Sequence, residues 1–139
     1  VKMESEYRKG YVYIHDGARP FIDEGIIERA YECVCKSDAC IAGMPVKDTI
    51  KIVNERQRVE STPDRATLWA IQTPQVFSAD LLLEAYGKLM KQNLIQVTDD
   101  AMAVEKMLNH EVRVFTGKYE NIKITTPEDL VIAEAFLGK

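Results

Sequence analysis

Several motifs and long apolar segments are missing from this 139-residue chain. Its seven glycines form neither GxGxxG nor GxxxxGK, which excludes a dinucleotide fingerprint and a P-loop. No GxSxG segment is present, so the nucleophile elbow of an α/β-hydrolase is excluded as well. The longest apolar runs are far too short to span a bilayer. We therefore expect a protein that uses none of these loops and does not bind a membrane.

Residues that ligate metals are also scarce. The three cysteines, Cys33, Cys35 and Cys40, form no CxxC pair, and the two histidines are His15 and His110. A zinc site needs more ligands at closer spacing, and an odd number of cysteines cannot pair completely in disulfides. We interpret the three cysteines as residues of the core and predict no metal site built from protein ligands.

The overall charge is acidic, which bears on possible partners. Acidic residues outnumber basic ones by 22 to 18, giving a formal net charge of −4. Nucleic acids and anionic membranes normally require a basic surface, so binding to either is disfavoured. The length and the 46% hydrophobic content fit one domain or a large part of a bigger one. The first ten residues are charged and lack the apolar core of a signal peptide, so we expect a cytoplasmic protein.

The most informative segment that is present is His15-Asp-Gly-Ala-Arg-Pro20, which follows four strand-forming residues, Tyr11 to Ile14. Such a run is typical of a strand buried on both faces of a parallel sheet, and ligands bind beyond the carboxyl ends of such strands. There, Asp16 can hold a metal or a hydroxyl group, and Arg19 can bind a phosphate through two hydrogen bonds. An ordinary loop with a local Asp–Arg ion pair is the alternative.

The rest of the chain predicts an α/β fold with an inserted β-hairpin. A helix over Asp23 to Ser37 and a strand over Cys40 to Val46 complete a βαβ unit, whose crossover is expected to be right-handed. The segment from Lys47 to Arg65 alternates apolar and charged stretches and predicts a projecting hairpin that gains stability on another subunit. A solvated loop is the alternative for this segment.

Capping residues and strand-forming runs predict the remaining elements. Ser78 and Thr98 can each cap a helix, and Thr126-Pro-Glu-Asp129 opens a last helix to Leu137. Two further strands are predicted over Glu111–Thr116 and Asn121–Thr125.

Six segments resemble one enzyme family in the same order and with similar gaps, over nearly the whole chain. The segments are His15-Asp-Gly-Ala-Arg-Pro20, Pro45-Val-Lys-Asp-Thr49, Asp64-Arg65 with Leu68-Trp69, Gln72-Thr-Pro-Gln75, Thr98-Asp-Asp-Ala101 and Asn121-Ile-Lys-Ile-Thr-Thr-Pro-Glu-Asp-Leu130. They are similar to 2-C-methyl-D-erythritol 4-phosphate cytidylyltransferases. The resemblance implies a Rossmann-like nucleotidyltransferase sheet with helices on both faces and a projecting β-arm at residues 47–65, within a single partial domain over residues 1–139.

The resemblance also implies an activity, ligands and site residues. CMP would pass from CTP, accompanied by Mg²⁺, to 2-C-methyl-D-erythritol 4-phosphate, with release of pyrophosphate. The resemblance implies that Thr49 and Arg65, on the arm, reach into the site of a neighbouring subunit, so the partner would be a second copy in a homodimer. By position, it assigns catalytic roles to Arg65 and Lys123 and substrate contacts to Asp16, Arg19, Thr49 and Thr73.

One departure from the family pattern concerns the site for CTP. The family has a glycine-rich loop with an arginine and a lysine for the triphosphate, and no segment of this chain matches it. We therefore expect the chain to be the carboxyl-terminal part of the enzyme and not to turn over CTP alone. Two alternatives remain: a ribitol 5-phosphate cytidylyltransferase, which has the same fold, and a non-catalytic module for dimerisation or ligand binding.

Overall fold

The computed structural model describes residues 10–92 and 100–138, which form one four-stranded sheet, a separate two-stranded hairpin and four α-helices. A short 3₁₀ turn, Arg65–Thr67, precedes the longest strand. In chain order the elements are β1 (Tyr11–Ile14), α1 (Glu24–Ser37), β2 (Ala39–Pro45), β3 (Ile52–Val53), β4 (Val59–Ser61), β5 (Trp69–Ser78), α2 (Ala79–Gln92), α3 (Asp100–Leu108), β6 (Arg113–Thr116) and α4 (Pro127–Leu137).

The main sheet is mixed, with the order β1-β5-β2-β6. Strand β5 runs antiparallel to both of its neighbours, whereas β2 and β6 are parallel. Strands β1 and β2 therefore point in the same direction, as a βαβ unit requires, but β5 lies between them. The expectation that Tyr11–Ile14 is a strand of a parallel sheet was wrong for the described residues, where β1 pairs antiparallel with β5, because hydrophobic patterning does not encode which strand inserts between two others.

The prediction that β1 is buried on both faces was also wrong for the described part of the chain. There, β1 pairs on one side only, with β5. Tyr11 and Tyr13 each leave 37% of their surface exposed, and the Tyr13 hydroxyl donates to the carbonyl of Ile27 at 3.5 Å. Tyrosine combines a strand-forming ring with a polar tip that can stay at the surface, so the same residues suit an exposed position.

Helices cover both faces of the sheet, which confirms the predicted architecture. On one face, α1 packs through Ile26, Ala30 and Val34 against side chains of β2, β5 and β6. On the other face, Ala85 of α2 and residues of α3 pack around Phe77. Alternate residues of β2 enter the two clusters, as the period of two in a strand requires.

Local capping explains where the helices begin. Asp23 accepts a hydrogen bond from the Ile26 amide at 2.9 Å and starts α1 one residue after the predicted position. At α4, Asp129 accepts from the Thr126 amide at 2.9 Å, which is half of the predicted capping box. Thr98, the predicted cap of α3, lies outside the described residues. In the described part, the Gln75 side chain accepts from the Ala101 amide at 3.2 Å in the first turn of α3.

Two smaller predictions need correction. Residues 121–125 form no strand, because the segment makes one backbone hydrogen bond to the β1 loop, from Ile124 to the carbonyl of Ala18, rather than a ladder. The cysteines do not all belong to the core: Cys40 is buried, where burial raises the pKa of its thiol, but Cys35 is exposed.

The hairpin of β3 and β4 lies on the surface. Its strands contain only two and three residues, and Ile52, Val53 and Val59 are about half exposed. The turn between them is held by Asn54, whose side chain accepts from the amides of Arg56 and Arg58 at 3.0 Å each. The predicted hairpin therefore forms, with almost no apolar contact of its own.

Candidate functional site

A pocket of about 310 Å³ opens where β1 and the middle of β5 meet the segment that follows β6. Four of the six site residues named from the sequence line it: Asp16, Arg19, Thr73 and Lys123. Sequence reasoning missed the other lining residues, which are Ile14, Ile71, Gln72, Gln75 and Asp100.

One oxygen of the Asp16 carboxylate contacts two positively charged side chains. Its Oδ2 lies 3.2 Å from Arg19 Nε and 3.4 Å from Lys123 Nζ. Burial acts to raise the pKa of Asp16, but the hydrogen bonds and charges of Arg19 and Lys123 outweigh it, so the pKa lies below its ordinary value. Asp16 is therefore ionised and organises both cations of the pocket. The local Asp–Arg pair considered from the sequence does form, but within a lined pocket.

The two cations differ in freedom. Arg19 is fixed, because its Nη1 also donates to the carbonyl of Asn121 at 2.7 Å and only 13% of its side chain is exposed. Lys123 is 49% exposed, and a lysine stem has several rotatable bonds. Arg19 therefore serves as part of the wall, while Lys123 can move to meet a ligand.

Thr73 joins the pocket to the β1 loop. Its hydroxyl accepts from the Asp16 amide at 2.9 Å and lies 3.0 Å from His15 Nδ1. The peptide between Thr73 and Pro74 is cis. The loop that follows β1 is thus tied to β5 across 57 residues of sequence. A Cβ at Gly17 would meet no atom within 4 Å, so packing inside the chain does not require the glycine there.

A buried amide pair supports the floor of the pocket. Asn121, fully buried, donates from Nδ2 to Gln72 Oε1 at 3.1 Å and to the Thr73 carbonyl at 2.8 Å. Gln72 in turn donates to the carbonyl of Lys118 at 2.7 Å. A Cβ at Gly117 would lie 2.3 Å from Gln72 Oε1, so a larger residue there would displace the Gln72 side chain from these hydrogen bonds. Gln72 and Asn121 are each the first residue of a segment that resembles the family. That position is the signal by which sequence reasoning could have found them.

A second ion pair holds the segment that carries Lys123. Lys118 pairs with Asp23, the cap of α1, and Arg29 donates to the carbonyl of Thr116 at 2.8 Å and to that of Gly117 at 3.2 Å. The hydrogen bond from Lys118 lowers the pKa of Asp23, with help from the Ile26 amide, and the same pair raises the pKa of Lys118. The segment after β6 is thus fastened to α1 as well as to β5.

The structure places the other two predicted site residues away from this pocket. Arg65 lines a separate pocket of about 430 Å³ at the base of the hairpin, together with Trp69, and donates to the Lys47 carbonyl at 3.0 Å. Thr49 is exposed in the segment between β2 and β3. Within one chain, Arg65 and Lys123 do not share a pocket, and the roles assigned to all six residues stay predictions.

The described lining of the pocket carries equal numbers of acidic and basic side chains. Asp100, at the start of α3, lines it and accepts a hydrogen bond from the Tyr86 hydroxyl. Among the described residues, the ionisable side chains of its lining are two acids, Asp16 and Asp100, and two bases, Arg19 and Lys123. A ligand that carries a phosphate therefore adds negative charge that these four groups do not neutralise.

No cluster of three metal-ligating side chains occurs within residues 10–92 and 100–138. Mg²⁺ prefers oxygen ligands and commonly combines one or two carboxylates with substrate phosphates. In this pocket, Asp16 is occupied by two cations and Asp100 by a tyrosine hydroxyl. The described residues therefore do not fit a dedicated magnesium site. In the same part of the chain, every helix is too short or too polar to cross a bilayer.

Comparison with known proteins identifies the family. Residues 3–139 match the profile of 2-C-methyl-D-erythritol 4-phosphate cytidylyltransferase. A protein of that name from Lachnospira eligens is 57% identical over 130 residues, covering 93% of this chain and 57% of the relative. One from Alkaliphilus oremlandii is 53% identical over 126 residues, covering 91% of this chain and 52% of the relative. The chain thus spans about half the length of the curated relatives it matches.

Solved structures agree with the sequence relatives. The crystal structure of a 4-diphosphocytidyl-2C-methyl-D-erythritol synthase from Anaerococcus prevotii superposes with a TM-score of 0.84 at 37% identity, over 93% of this chain and 59% of that one. A 2-C-methyl-D-erythritol 4-phosphate cytidylyltransferase from Thermus thermophilus gives 0.82 at 35% identity, over 93% and 62%. These names do not favour the ribitol phosphate alternative. The chain belongs to the 2-C-methyl-D-erythritol 4-phosphate cytidylyltransferase family.

Proposed function

We propose that this chain carries the binding site for 2-C-methyl-D-erythritol 4-phosphate in an enzyme that transfers CMP from CTP to that phosphate. The observation that carries the proposal is the pocket itself, where Asp16, Arg19, Thr73 and Lys123 meet although they are up to 107 positions apart. The family resemblance assigns all four to the substrate site. The family's pathway, isoprenoid biosynthesis in the cytoplasm, is part of the same proposal.

In the proposed reaction a phosphate oxygen of methylerythritol phosphate attacks the α-phosphorus of CTP. A new phosphorus–oxygen bond forms while the bond between the α-phosphorus and the bridging oxygen breaks, and pyrophosphate leaves. The two substrates are both anions, so catalysis consists mainly of bringing them together and neutralising charge. Lys123 has the required properties, since it is half exposed and already lies beside the Asp16 carboxylate.

Asp16 and Arg19 form the fixed part of the proposed site. The Asp16 carboxylate can accept hydrogen bonds from hydroxyl groups of the sugar alcohol, in addition to the two cations it holds. Arg19 donates one hydrogen bond to the Asp16 carboxylate and another to the Asn121 carbonyl. Entry of the ligand phosphate would draw Lys123 away from Asp16 and leave this pair in place.

The balanced charge of the pocket favours a further cation from outside the chain. We propose that Arg65 of a second copy supplies this cation and that Thr49 of the same copy adds a neutral hydroxyl group, with the arm at residues 47–65 as the dimer contact. Arg65 lies at the base of an exposed hairpin and outside its own chain's pocket. Ile52, Val53 and Val59 offer apolar surface that a second subunit can cover. An arginine can bind two phosphate oxygens at once, which suits it to this role.

CTP and Mg²⁺ complete the proposed reaction. When bound, Mg²⁺ would neutralise part of the negative charge on the phosphates of CTP. The described residues form no dedicated site for it, so we propose that it is bound through the phosphates of CTP. No segment of the chain matches the family's glycine-rich CTP loop, and we expect no turnover of CTP by this chain alone.

Isothermal titration calorimetry tests the proposal directly. Methylerythritol phosphate should bind the chain more tightly than inorganic phosphate or ribitol 5-phosphate, and CTP with Mg²⁺ should bind weakly or not at all. Tighter binding of ribitol 5-phosphate would show that the proposed substrate is wrong. Failure of methylerythritol phosphate to exceed inorganic phosphate would show that these residues do not form its site in this chain.

A further inference from the structure

The tautomer of His15 determines the direction of the hydrogen bond that the Thr73 hydroxyl donates. His15 Nε2 lies 2.9 Å from the carbonyl oxygen of Arg19. A carbonyl oxygen can only accept, so Nε2 must carry the hydrogen of that contact. In a neutral imidazole the other nitrogen, Nδ1, is then an acceptor.

The contact between His15 Nδ1 and Thr73 Oγ1, at 3.0 Å, follows from this tautomer. The Thr73 hydroxyl must donate to Nδ1, because Nδ1 has no hydrogen. The same oxygen already accepts from the Asp16 amide at 2.9 Å. A hydroxyl has one hydrogen and two lone pairs, so a single lone pair is left for the pocket.

We propose that His15 is a positioning residue that holds the Thr73 hydroxyl as a hydrogen-bond acceptor toward the pocket. The wall formed by Thr73 and Asp16 then selects a hydroxyl group of the ligand, whereas the ligand phosphate is bound at Lys123. The identity of the ligand rests on the proposed function, but the direction of the hydrogen bonds does not.

The surroundings of His15 are consistent with this role. It is half buried, and it is not among the residues that line the pocket, so it acts through Thr73. The charged groups of the adjoining pocket are Asp16 and Arg19 from its own loop, Lys123 from the segment after β6, and Asp100 from α3. Strand β5 contributes the neutral side chains of Gln72, Thr73 and Gln75. A proton on Nδ1 would reverse the chain of hydrogen bonds and release the Thr73 hydrogen toward the ligand.

The chain contains a matched control for the tautomer. His110, the only other histidine, has Nδ1 rather than Nε2 at 2.7 Å from a carbonyl oxygen, that of Glu111. By the same argument, its Nδ1 carries the hydrogen. The two histidines should therefore show opposite tautomers in one sample, and His110→Asn assigns the signals by removing one set.

Long-range ¹⁵N–¹H correlation spectra of the ring nitrogens test the positioning role without any ligand. Where the nitrogen signals show a neutral ring, His15 should be in the Nε2–H tautomer. Thr73→Val should shift the Nδ1 signal of His15 and leave His110 unchanged. An Nδ1–H tautomer of His15 would overturn the inference, because Thr73 would then present its hydrogen to the pocket.

Calorimetry with two ligands tests the selectivity. Thr73→Val should weaken methylerythritol phosphate binding by about three- to tenfold, the effect of one neutral hydrogen bond, and leave inorganic phosphate unaffected. His15→Ala should weaken it similarly but add nothing in the Thr73→Val background. His15→Asn, which can place an amide oxygen near the position of Nδ1, should restore part of the binding.

Each failure points to a different error. Equal weakening of inorganic phosphate by Thr73→Val would mean that Thr73 donates to the phosphate, and the inference would be wrong. Additive effects of His15→Ala and Thr73→Val would mean that His15 does not act through Thr73. The spectra could show the expected tautomers while calorimetry shows that the unmodified chain binds methylerythritol phosphate no better than inorganic phosphate. The proposed function would then be wrong, and the positioning role of His15 would stand.

Discussion

The pocket and the hairpin are built in opposite ways. Around the pocket, Asn121 and Gln72 are buried, and hydrogen bonds join segments that lie far apart in the sequence. In the hairpin, the side-chain hydrogen bonds of Asn54 stay within four residues, and the apolar side chains face outward. The first region is fixed by the rest of its own fold, whereas the hairpin strands pair only with each other among the described residues.

With the dimer contact proposed above, this difference would separate what one chain can do from what requires a second copy. A rigid site can hold side chains in a productive geometry before the ligand arrives, which lowers the entropy lost on binding. A small exposed hairpin has little stability of its own and is suited to fit against another surface. We therefore expect substitutions in the pocket to act on ligand affinity and folding, and substitutions in the hairpin to act on assembly.

The largest effect is expected from a lysine of the pocket. Lys123→Met should weaken methylerythritol phosphate binding by about ten- to a hundredfold, because a charged hydrogen bond to the phosphate is lost. Lys88 is the matched control: its side chain is also 49% exposed and also pairs with an acid, Glu84, but it lies on α2. Calorimetry should show no change for Lys88→Met. Equal losses in both variants would mean that general charge, not the pocket, attracts the ligand.

Substitution of two asparagines compares how much the pocket and the hairpin each contribute to the free energy of unfolding. Asn121→Ala should lower the free energy of unfolding by about 1–3 kcal/mol, because the buried Gln72 side chain and the Thr73 carbonyl each lose a donor. Asn54→Ala removes a side chain that also makes two hydrogen bonds, but in an exposed turn. Urea unfolding should show a change of less than about 0.5 kcal/mol for Asn54→Ala. A larger loss there would mean that the hairpin is part of the cooperative fold.

Acid should weaken the fold through three carboxylates. The folded state lowers the pKa of Asp16, Asp23 and Asp129. Their contribution is therefore complete above the ordinary aspartate value of about 4, where both states are ionised, and is lost as the pH falls below it and the unfolded state binds protons first. The thermal midpoint should fall over that range, and the fall should be smaller in Asp16→Asn. A midpoint that rises toward lower pH would contradict the assigned directions.

The smallest effect on folding is expected in the hairpin. Val59→Asp should change the unfolding free energy of the monomer by less than about 0.5 kcal/mol, since the side chain is more than half exposed. Sedimentation should nevertheless show less dimer, because a charge in the contact loses its hydration. Lys88→Asp, on α2, provides a charge change outside the arm. If both variants sediment alike, the arm is not the dimer contact.

Local signals carried the sequence-based prediction of the helices. The Thr126–Asp129 segment acts on an amide within the same turn, so its effect can be recognised without the fold, whereas α1 was predicted from its apolar spacing and its cap at Asp23 was not named. The position of β5 between β1 and β2 could not be predicted in this way, because it depends on pairing across the whole sheet. The strand predicted over Asn121–Thr125 was wrong for the same reason, since strand-forming residues do not specify a pairing partner.

Asp16 and Arg19 could be predicted as site residues from their position after a strand, whereas Thr73 and Lys123 could be predicted only from the resemblance. Asp16, Arg19, Thr73 and Lys123 were named in advance, and the structure brings them together. Gln72 and Asn121 were not named as site residues, because they contribute by hydrogen bonding to each other across 49 positions. No local sequence pattern predicts such a contact. Their value lies in the geometry they impose on neighbours.

The position of Trp69 gives the molecule a built-in optical probe. It is the only tryptophan of the chain, it is partly exposed, and it lies beside Arg65 in the pocket where the hairpin leaves the sheet. Indole emission moves to shorter wavelength when water is removed from the ring. The intrinsic fluorescence of the unlabelled protein therefore reports on whether the base of the hairpin is covered, independently of any event in the pocket beside Asp16.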